Sequence, residues 1–590
     1  MSSSSHDGNL WFLIRIVTVA ALGGFLFGFD TAVINGAVPI LRDMFTAEGG
    51  TFNAFFSPEQ VDIVVGQSVA IALIGAAIGA FGAGPLTNRI GRKKAMVIAA
   101  VLFLSSAIGS GLPVSILDFT FWRFIGGLAF GAASVIAPAY IAEVSPASQR
   151  GRLGSMQQLA IVIGIFVALM SNLLIARDSG GAAEDWLLGQ AAWRWMFWIE
   201  AIPAALYGIL ALGIPESPRY LVIQNRDEEA RSVLQKVLGT TGMEGKVKEI
   251  HASLNAEHKP RLSDILGGGI FKKIVWLGIG LSIFQQFVGI NVVFYYSNLL
   301  WESVGLTEED AFINTAIGGG TNVLTTFIAI ALVDKIGRKP LLISGSLGMT
   351  LSLGVMAFVF SAAPLNPSNI DLTAPTQATG SYELTIEARE GEDGETLIES
   401  APITLDVEPV EDAEAAAEPT RQIALDFRSV LGESRGMTTL VIAGVPEGWD
   451  LVDPAAAEDE IIVEGDTITT TKFDLKPDLT GDNRTQGLLT LIALNLFIIS
   501  FGASWGPIVW VMLGEMFSNQ IRGAALAVAA AAQWGANYLI SATFPALAGW
   551  SLAGAYGFYA ASAFVSLLFV MFLLPETKGR ELETMGELEN

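Results

Sequence analysis

Gly84-Pro85-Leu86-Thr87-Asn88-Arg89-Ile90-Gly91-Arg92-Lys93-Lys94 is a charged stretch between two long apolar runs, and it returns in shortened form as Val333-Asp334-Lys335-Ile336-Gly337-Arg338-Lys339. Glu143, followed seven residues on by Arg150-Gly151, returns as Glu515 followed at the same spacing by Arg522-Gly523. Pro215-Glu216-Ser217-Pro218-Arg219 and Pro575-Glu576-Thr577-Lys578-Gly579-Arg580 close the two halves. Two related apolar halves predict a pair of helix bundles able to rock about a central site, a construction that membrane carriers use.

Working outward, the chain of 590 residues is 52% hydrophobic and only 16% charged, with a mean hydropathy of +0.51. A helix needs about 20 apolar residues to cross a bilayer. The runs predict twelve spans, at about 11–39, 60–85, 95–112, 116–142, 155–176, 190–214, 270–301, 309–333, 340–362, 486–516, 522–550 and 553–574. The Ser-rich N-terminal stretch is too short and uncharged for a cleaved signal, so the first span is expected to stay in the membrane. The fold expected is an all-α polytopic membrane protein of two six-helix bundles. Residues 1–214 and 270–590 form the bundles, and 215–269 form a helical linker.

Basic residues set the orientation. Arg89, Arg92, Lys93 and Lys94 follow span two, Arg150 and Arg152 span four, Lys335, Arg338 and Lys339 span eight, and Arg522 span ten. All four loops lie on one side, which the positive-inside rule makes cytoplasmic. The opposite loops carry mainly acids, such as Glu184 and Asp185 or Glu308, Glu309 and Asp310. Both termini are expected in the cytoplasm, and the chain in the cell membrane.

The net charge of −24 belongs mostly to one place. Residues 361–486 hold 27 acids against 7 bases, where the whole chain holds 58 against 34, so the membrane part is nearly neutral. Gly91 to Glu143 is 52 residues but Gly337 to Glu515 is 178, which marks residues 363–485 as an insertion, expected outside the cell. Tyr382, Leu384 and Ile386 alternate with Glu383, Thr385 and Glu387, and Ile403, Leu405 and Val407 repeat the pattern. A period of two predicts strands and a small β-rich domain, with Glu408 to Glu418 as a solvated acidic loop. The domain is either a partner-binding or substrate-gathering module or an acidic surface that stays hydrated. With no cysteine in the chain, no disulfide staples it. In the linker, Arg226, Asp227, Glu228, Glu229 and Arg231 open an amphipathic helix with Leu234 and Val237 on one side, either a gate over the cytoplasmic mouth or a solvated face.

Ionisable residues inside a membrane are costly and point to function. At 1.5 Å per residue, Asp30 lies about 13 Å, Arg123 about 10 Å and Glu200 about 15 Å from the outer ends of their spans. Two acids and one arginine at one depth form either a carboxylate that takes a proton in exchange for its grip on Arg123 or a permanently ionised pair that holds helices together. The second half is rich in buried amides and aromatics: Gln285, Gln286, Asn291, Tyr295, Tyr296, Asn322, Trp505, Trp510, Gln533 and Trp534, with Gln157 and Gln158 from span five. Amides both donate and accept, which suits vicinal hydroxyls, and Trp offers a flat apolar face with one donor. The same amides could instead bond neighbouring helices. The three histidines, His6, His251 and His258, fall outside the spans, and there is no Walker-type Gly-x-x-x-x-Gly-Lys-Ser/Thr. The chain thus reads as no enzyme, with no cofactor, no metal and no nucleic-acid partner.

Gly-Arg-Lys-Lys at 91–94, Pro-Glu-Ser-Pro-Arg at 215–219, Gln-Gln-x-x-Gly-Ile-Asn at 285–291 and Pro-Glu-Thr-Lys-Gly at 575–579 together resemble the sugar porter family of the major facilitator superfamily. The chain looks most like bacterial sugar–proton symporters of the xylose-carrier type, everywhere except the insertion. The resemblance implies a major facilitator fold and a monomeric carrier of monosaccharide and proton. It implies a mid-membrane pocket in which Gln158, Gln285, Gln286, Asn291, Asn322 and Gln533 hydrogen-bond the sugar. Trp510 and Trp534 would pack on the sugar or close above it, and Phe27 and Tyr295 would line the pocket. Asp30 matches the position where proton-coupled members carry Asp and passive ones commonly do not, Arg123 matches its partner and Glu200 a nearby acid. Arg89, Arg92, Glu143, Arg150 and Glu216, with Lys335, Arg338, Glu515, Arg522 and Glu576, would form cytoplasmic salt bridges that favour the outward-open state and break as the bundles rock. Ile165 is apolar where the xylose carrier has Gln, as in glucose carriers, which favours hexose over pentose. A passive facilitator and a non-transporting sugar sensor are the alternatives.

Overall fold

The structure is a computed structural model that describes residues 9–41, 60–146, 150–239, 243–248, 250–251, 265–267, 270–303, 306–363, 365–368, 371–390, 396–407, 420–424, 439–446, 448–452, 461–470, 474–477, 484–517 and 521–577. These residues form two compact units. One comprises 1–300, 308–357 and 491–590, and the other 301–307 and 358–490.

In the first half, α1 (Leu10–Val33), α2 (Val61–Ile90), α3 (Arg92–Ser110), α4 (Ile116–Val144) and α5 (Arg150–Ser179) are followed by α6 (Ala192–Trp198) and α7 (Ala201–Gly213). Helices α6 and α7 share one predicted span and part at Ile199–Glu200. The cause is Pro203, which has no N–H to return to the Ile199 carbonyl; Ile202 bonds that carbonyl instead, at 3.2 Å. The linker contributes α8 (Pro218–Ile223) and α9 (Asp227–Leu238), and Leu221, Val222, Ala230, Val233 and Ile250 form a small core of their own. The charged face of α9 bonds itself through Arg226–Glu229 and Arg231–Glu228. Strands β1 (Leu266–Gly267) and β2 (Ile270–Phe271) close the linker.

The second half has α10 (Lys273–Phe287), α11 (Ile290–Ser303), α12 (Glu308–Ile336), α13 (Arg338–Ala362), α14 (Arg484–Gly502), α15 (Trp505–Met516), α16 (Arg522–Trp550) and α17 (Leu552–Phe572). The span predicted at 270–301 is thus two helices, broken at Gly289. That residue has φ +84°, and a Cβ there would come within 2.9 Å of the Tyr559 ring, so only glycine fits. The span at 486–516 breaks likewise at Ala503–Ser504, between α14 and α15. Eleven segments among the described residues are long and apolar enough to cross a membrane. Helix α16 is not one of them, although it runs for 29 residues, because Gln533, Asn537 and Tyr538 interrupt its apolar run.

The repeated motifs build the same joint twice. Gly91 and Gly337, at φ +93° and +107°, turn the chain from α2 into α3 and from α12 into α13. Glu216 accepts from the N–H groups of Arg92 at 2.8 Å and Lys93 at 3.2 Å. Glu576 accepts from those of Arg338 at 3.1 Å and Lys339 at 2.9 Å. Each carboxylate thereby satisfies orphan donors at a helix N-terminus, where negative charge is favoured. The Arg92 guanidinium pairs with Glu143 at 2.8 Å and donates to the Thr87 carbonyl, five residues back, at 3.3 Å. Arg338 pairs with Glu515 at 2.8 Å and donates to the Val333 carbonyl, also five back, at 3.2 Å. The Ser217 and Thr577 hydroxyls donate to Glu143 and Glu515 respectively.

The other unit carries the predicted β-structure. Strands β3 (Leu365–Ser368), β4 (Asp371–Pro375), β5 (Gly380–Glu390), β6 (Thr396–Val407), β7 (Thr420–Ala424), β8 (Thr439–Ala443), β9 (Asp450–Val452), β10 (Ile461–Glu464), β11 (Thr467–Thr470) and β12 (Asp474–Pro477) make antiparallel sheets. Their orders are β10-β11-β8-β5-β6, β7-β4-β9 and β12-β3. Leu384 and Ile386 point into a core with Leu372, Leu440, Ile442, Ile468 and Trp449, and Tyr382 packs against it. The acidic stretch 408–418 lies outside the described residues.

Candidate functional site

Asp30 and Arg123 are brought together by helix geometry and one glycine. Arg123 Nη1 donates to Asp30 Oδ1 at 3.1 Å, and Nη2 donates to the main-chain oxygen of Asp30 at 3.1 Å. A Cβ on Gly126, one turn along α4, would lie 3.0 Å from Asp30 Oδ1, so glycine leaves room for the carboxylate. Both side chains are buried, at 1% and 2% exposure. The guanidinium carbon also lies 5.9 Å from the centre of the Phe197 ring. The pairing is incomplete: Asp30 Oδ2, Arg123 Nε and both carboxyl oxygens of Glu200 are buried with no hydrogen-bond partner among the described residues. Glu200 is fully buried within Coulombic range of both Asp30 and Arg123. Three ionisable groups with unmatched atoms are costly to hold in a low-dielectric setting.

Beside the pair, a small cavity of about 10 Å³ is lined by Thr31, Ile34, Val69, Arg123, Phe130 and Tyr295 among others. It reaches from the N-terminal half into the C-terminal half. Tyr295, on α11, hydrogen-bonds Asn537 of α16 and lies within Coulombic range of Arg123 and Asp30.

The amides of the C-terminal half form a chain. Asn291 Nδ2 donates to Gln286 Oε1 at 2.5 Å, Gln286 Nε2 to Gln285 Oε1 at 3.4 Å, and Gln533 Nε2 to the same Gln285 oxygen at 2.6 Å. Gln285 Nε2 is anchored on the carbonyls of Trp505 at 3.0 Å and Gly506 at 3.3 Å, in the first turn of α15. The break at Gly289 sets Asn291 back against Gln286, so the two interrupted helices position the set. Asn322 is buried on α12, with its Oδ1 3.2 Å from where a Cβ on Gly502 would stand. Trp534 lies 6.0 Å from Phe27 and 5.9 Å from Phe130, ring centre to ring centre, and the two phenylalanines stack at 5.1 Å. This aromatic cluster joins the halves beside the amides.

Two other expected residues are less buried than their neighbours. Trp510 is 43% exposed, whereas Trp505 is fully buried and donates to Leu342 and Ser346. Gln158 is half-buried, and its neighbour Gln157 is the buried one, with both amide atoms unmatched among the described residues. Asn537 and Phe130 join the site without having been singled out. Their signal was present: Asn537 follows Gln533 by one helical turn, and Phe130 follows Arg123 by two.

The charges of the basic loops pair within each half: Arg92 with Glu143, and Arg338 with Glu515. Pairs of this kind stay whole when the halves separate, so breakage on rocking does not follow from them. Arg89 and Lys335 are exposed, and the side chains of Arg150 and Arg522 lie outside the described residues. Polar contacts between the halves gather at the opposite end. Asn35 donates to the Phe294 carbonyl at 3.0 Å and Ser297 at 2.9 Å, Glu308 accepts from the Ala182 N–H at 2.8 Å, Arg177 meets Glu309 at 3.4 Å, and Tyr538 donates to Gln67.

Comparison with known proteins shows the family of the chain. A family model described as "Sugar (and other) transporter" matches residues 16–374 and 473–588, leaving most of the β unit unmatched. A glucose transport protein of Synechocystis is 46% identical over 588 residues, covering 99% of each chain. The D-xylose-proton symporter of Escherichia coli K12 is 32% identical, covering 98% of this chain and 96% of that one. The inward-open structure of the xylose transporter XylE from E. coli superposes with a TM-score of 0.67 at 31% identity, over 98% of this chain and 99% of that chain. XylE bound to 6-bromo-6-deoxy-D-glucose gives 0.66 at 31%, over 99% and 100%. The chain belongs to the sugar transporter family, within the major facilitator superfamily.

Proposed function

We propose that this protein is a proton-coupled monosaccharide symporter, with a hexose as its substrate, working by alternating access in the cell membrane. The observation that carries the reading is the buried Asp30–Arg123 pair, in which one carboxylate oxygen is held and the other is free to take a proton. Protonation removes the counter-charge of Arg123, and the guanidinium then turns toward the remaining charge and dipoles around it, Glu200 and Tyr295. The sugar enters beside this pair. Its hydroxyls, which both donate and accept, replace the amide-to-amide bonds of Gln285, Gln286, Asn291 and Gln533, while Phe27, Phe130 and Trp534 cover its apolar face. Because these groups come from both halves, occupancy favours the state in which the halves close on the sugar.

The hexose assignment is supported by the glucose transport protein of Synechocystis and by the apolar Ile165. The basic loops and both termini lie in the cytoplasm under this reading, and residues 363–485 lie outside. The test is the pH inside proteoliposomes when a panel of sugars is added with no imposed gradient. Internal acidification by one sugar is the expected outcome. Equilibration of labelled sugar without any pH change would make the protein a passive facilitator and Asp30–Arg123 a structural pair.

A further inference from the structure

We propose that the Tyr207 hydroxyl, bridged by ordered water, relays the proton from Glu200 toward the end of the N-terminal half that carries the basic loops. The proposal rests on the symport reading above and extends it to the route by which the proton leaves.

Three buried side chains carry unmatched oxygens along one seam. Asp30 Oδ2, both Glu200 oxygens and the Tyr207 hydroxyl have no hydrogen-bond partner among the described residues, and Glu200 and Tyr207 are both fully buried. Tyr207 follows Glu200 by seven residues, two helical turns, so both face the same way, about 10 Å apart along the axis. Ala204, the residue between them on that face, is small and buried. Across the seam, α1 repeats the spacing: Gly23 precedes Asp30 by seven residues. A Cβ on Gly23 would come within 2.9 Å of the Tyr207 hydroxyl oxygen, so the glycine leaves the space in which that hydroxyl stands. Beyond Tyr207 the helix leads to Pro215-Glu216, the joint that caps α3.

Buried polar atoms left unmatched are costly and are ordinarily satisfied by water. The rise of about 10 Å is too long for direct transfer, so water on either side of the hydroxyl must complete the line. In the step proposed, protonated Glu200 gives its proton to a bridging water, which passes one to the Tyr207 oxygen. The original hydroxyl hydrogen leaves to the next water along, and the tyrosine is neutral before and after. One proton moves and no group is altered.

The test uses the full-length protein in proteoliposomes with glucose as the sugar. Tyr207→Phe keeps the ring and removes the relay oxygen. It should leave glucose exchange at equal concentrations within about twofold of wild type, because exchange requires no proton release, and slow glucose-driven internal acidification by about tenfold or more. The solvent deuterium isotope effect on acidification should rise in the same variant. Unchanged acidification would overturn the relay, as would an equal fall in exchange and acidification, which marks a packing role. Wild-type protein that moves no proton would overturn the symport reading and the relay with it. Proton movement lost in Asp30→Asn but unaltered in Tyr207→Phe would overturn the relay alone.

Discussion

The two halves share a frame and differ in what they bury. At the basic end, each half repeats one joint: a glycine of positive φ, a carboxylate on the next helix N-terminus, and an arginine clamped between a second carboxylate and a carbonyl five residues back. In the interior, the N-terminal half encloses a charged cluster with unmatched atoms, Asp30, Arg123 and Glu200. The C-terminal half encloses neutral amides bonded to one another. A duplicated scaffold has thus been filled with two chemistries, one suited to an ion and one to hydroxyls. Under the function proposed here, the halves divide the work of coupling.

The largest effect that would break this division is expected at the charged cluster. Asp30→Asn should abolish uphill accumulation in proteoliposomes while sugar exchange persists, because it removes the titrating group and keeps its shape. Full accumulation by the variant would take Asp30 out of the mechanism. Next in size, Gln285→Ala should raise the KM for sugar by about tenfold to a hundredfold, the cost of losing a buried hydrogen-bonded amide, while the number of protons moved per sugar stays constant. A change in that ratio would mean that the two interiors are not separate in function.

A smaller effect tests the shared frame. Glu143→Gln and Glu515→Gln each remove one charge from an equivalent clamp and should each cost about 1–3 kcal/mol, read as similar falls in the Tm of the detergent-solubilised protein. Strongly unequal falls would show that the joints are alike in geometry but not in energetics. The smallest effect is expected at the insertion. Replacing residues 369–473 with a short turn should leave the transport rate within about twofold, since Ser368 and Asp474 are already register partners and a tight turn can close such a ladder. Loss of transport in a folded variant would give the β unit a direct role.

Much of the fold was legible because the physics that produced it is periodic. Long apolar runs mark membrane helices, and the alternation at Tyr382–Glu387 marks β5. The helix breaks were harder to read. Gly289 and Pro203 stand in the sequence, but glycine and proline also occur inside unbroken membrane helices, as Pro138 does in α4. At the site, Asp30, Arg123 and Glu200 announce themselves by the cost of burying charge. Gln157 and Gln158 are adjacent amides, and the choice of which one turns inward depends on how α5 meets Gly24 of α1, where the Gln157 amide lies within 3.0 Å of where a Cβ would be. The pairing of loop charges within halves was illegible for a similar reason, because spacing records which residues repeat and not which of the two copies each one touches.

The ladder between β3 and β12 has a consequence for how such a chain could have grown. Leu365 pairs with Pro477 and Ser368 with Asp474, so the excursion of about a hundred residues begins and ends at a single point. Left open, an excursion that long would cost about 3 kcal/mol more to close than one of about five residues, from loop entropy alone. With its ends zipped, the insertion leaves and rejoins the chain through two adjacent strands. A whole module could be gained, exchanged or lost at this neck in one genetic event, without renegotiating the packing of the long apolar helices.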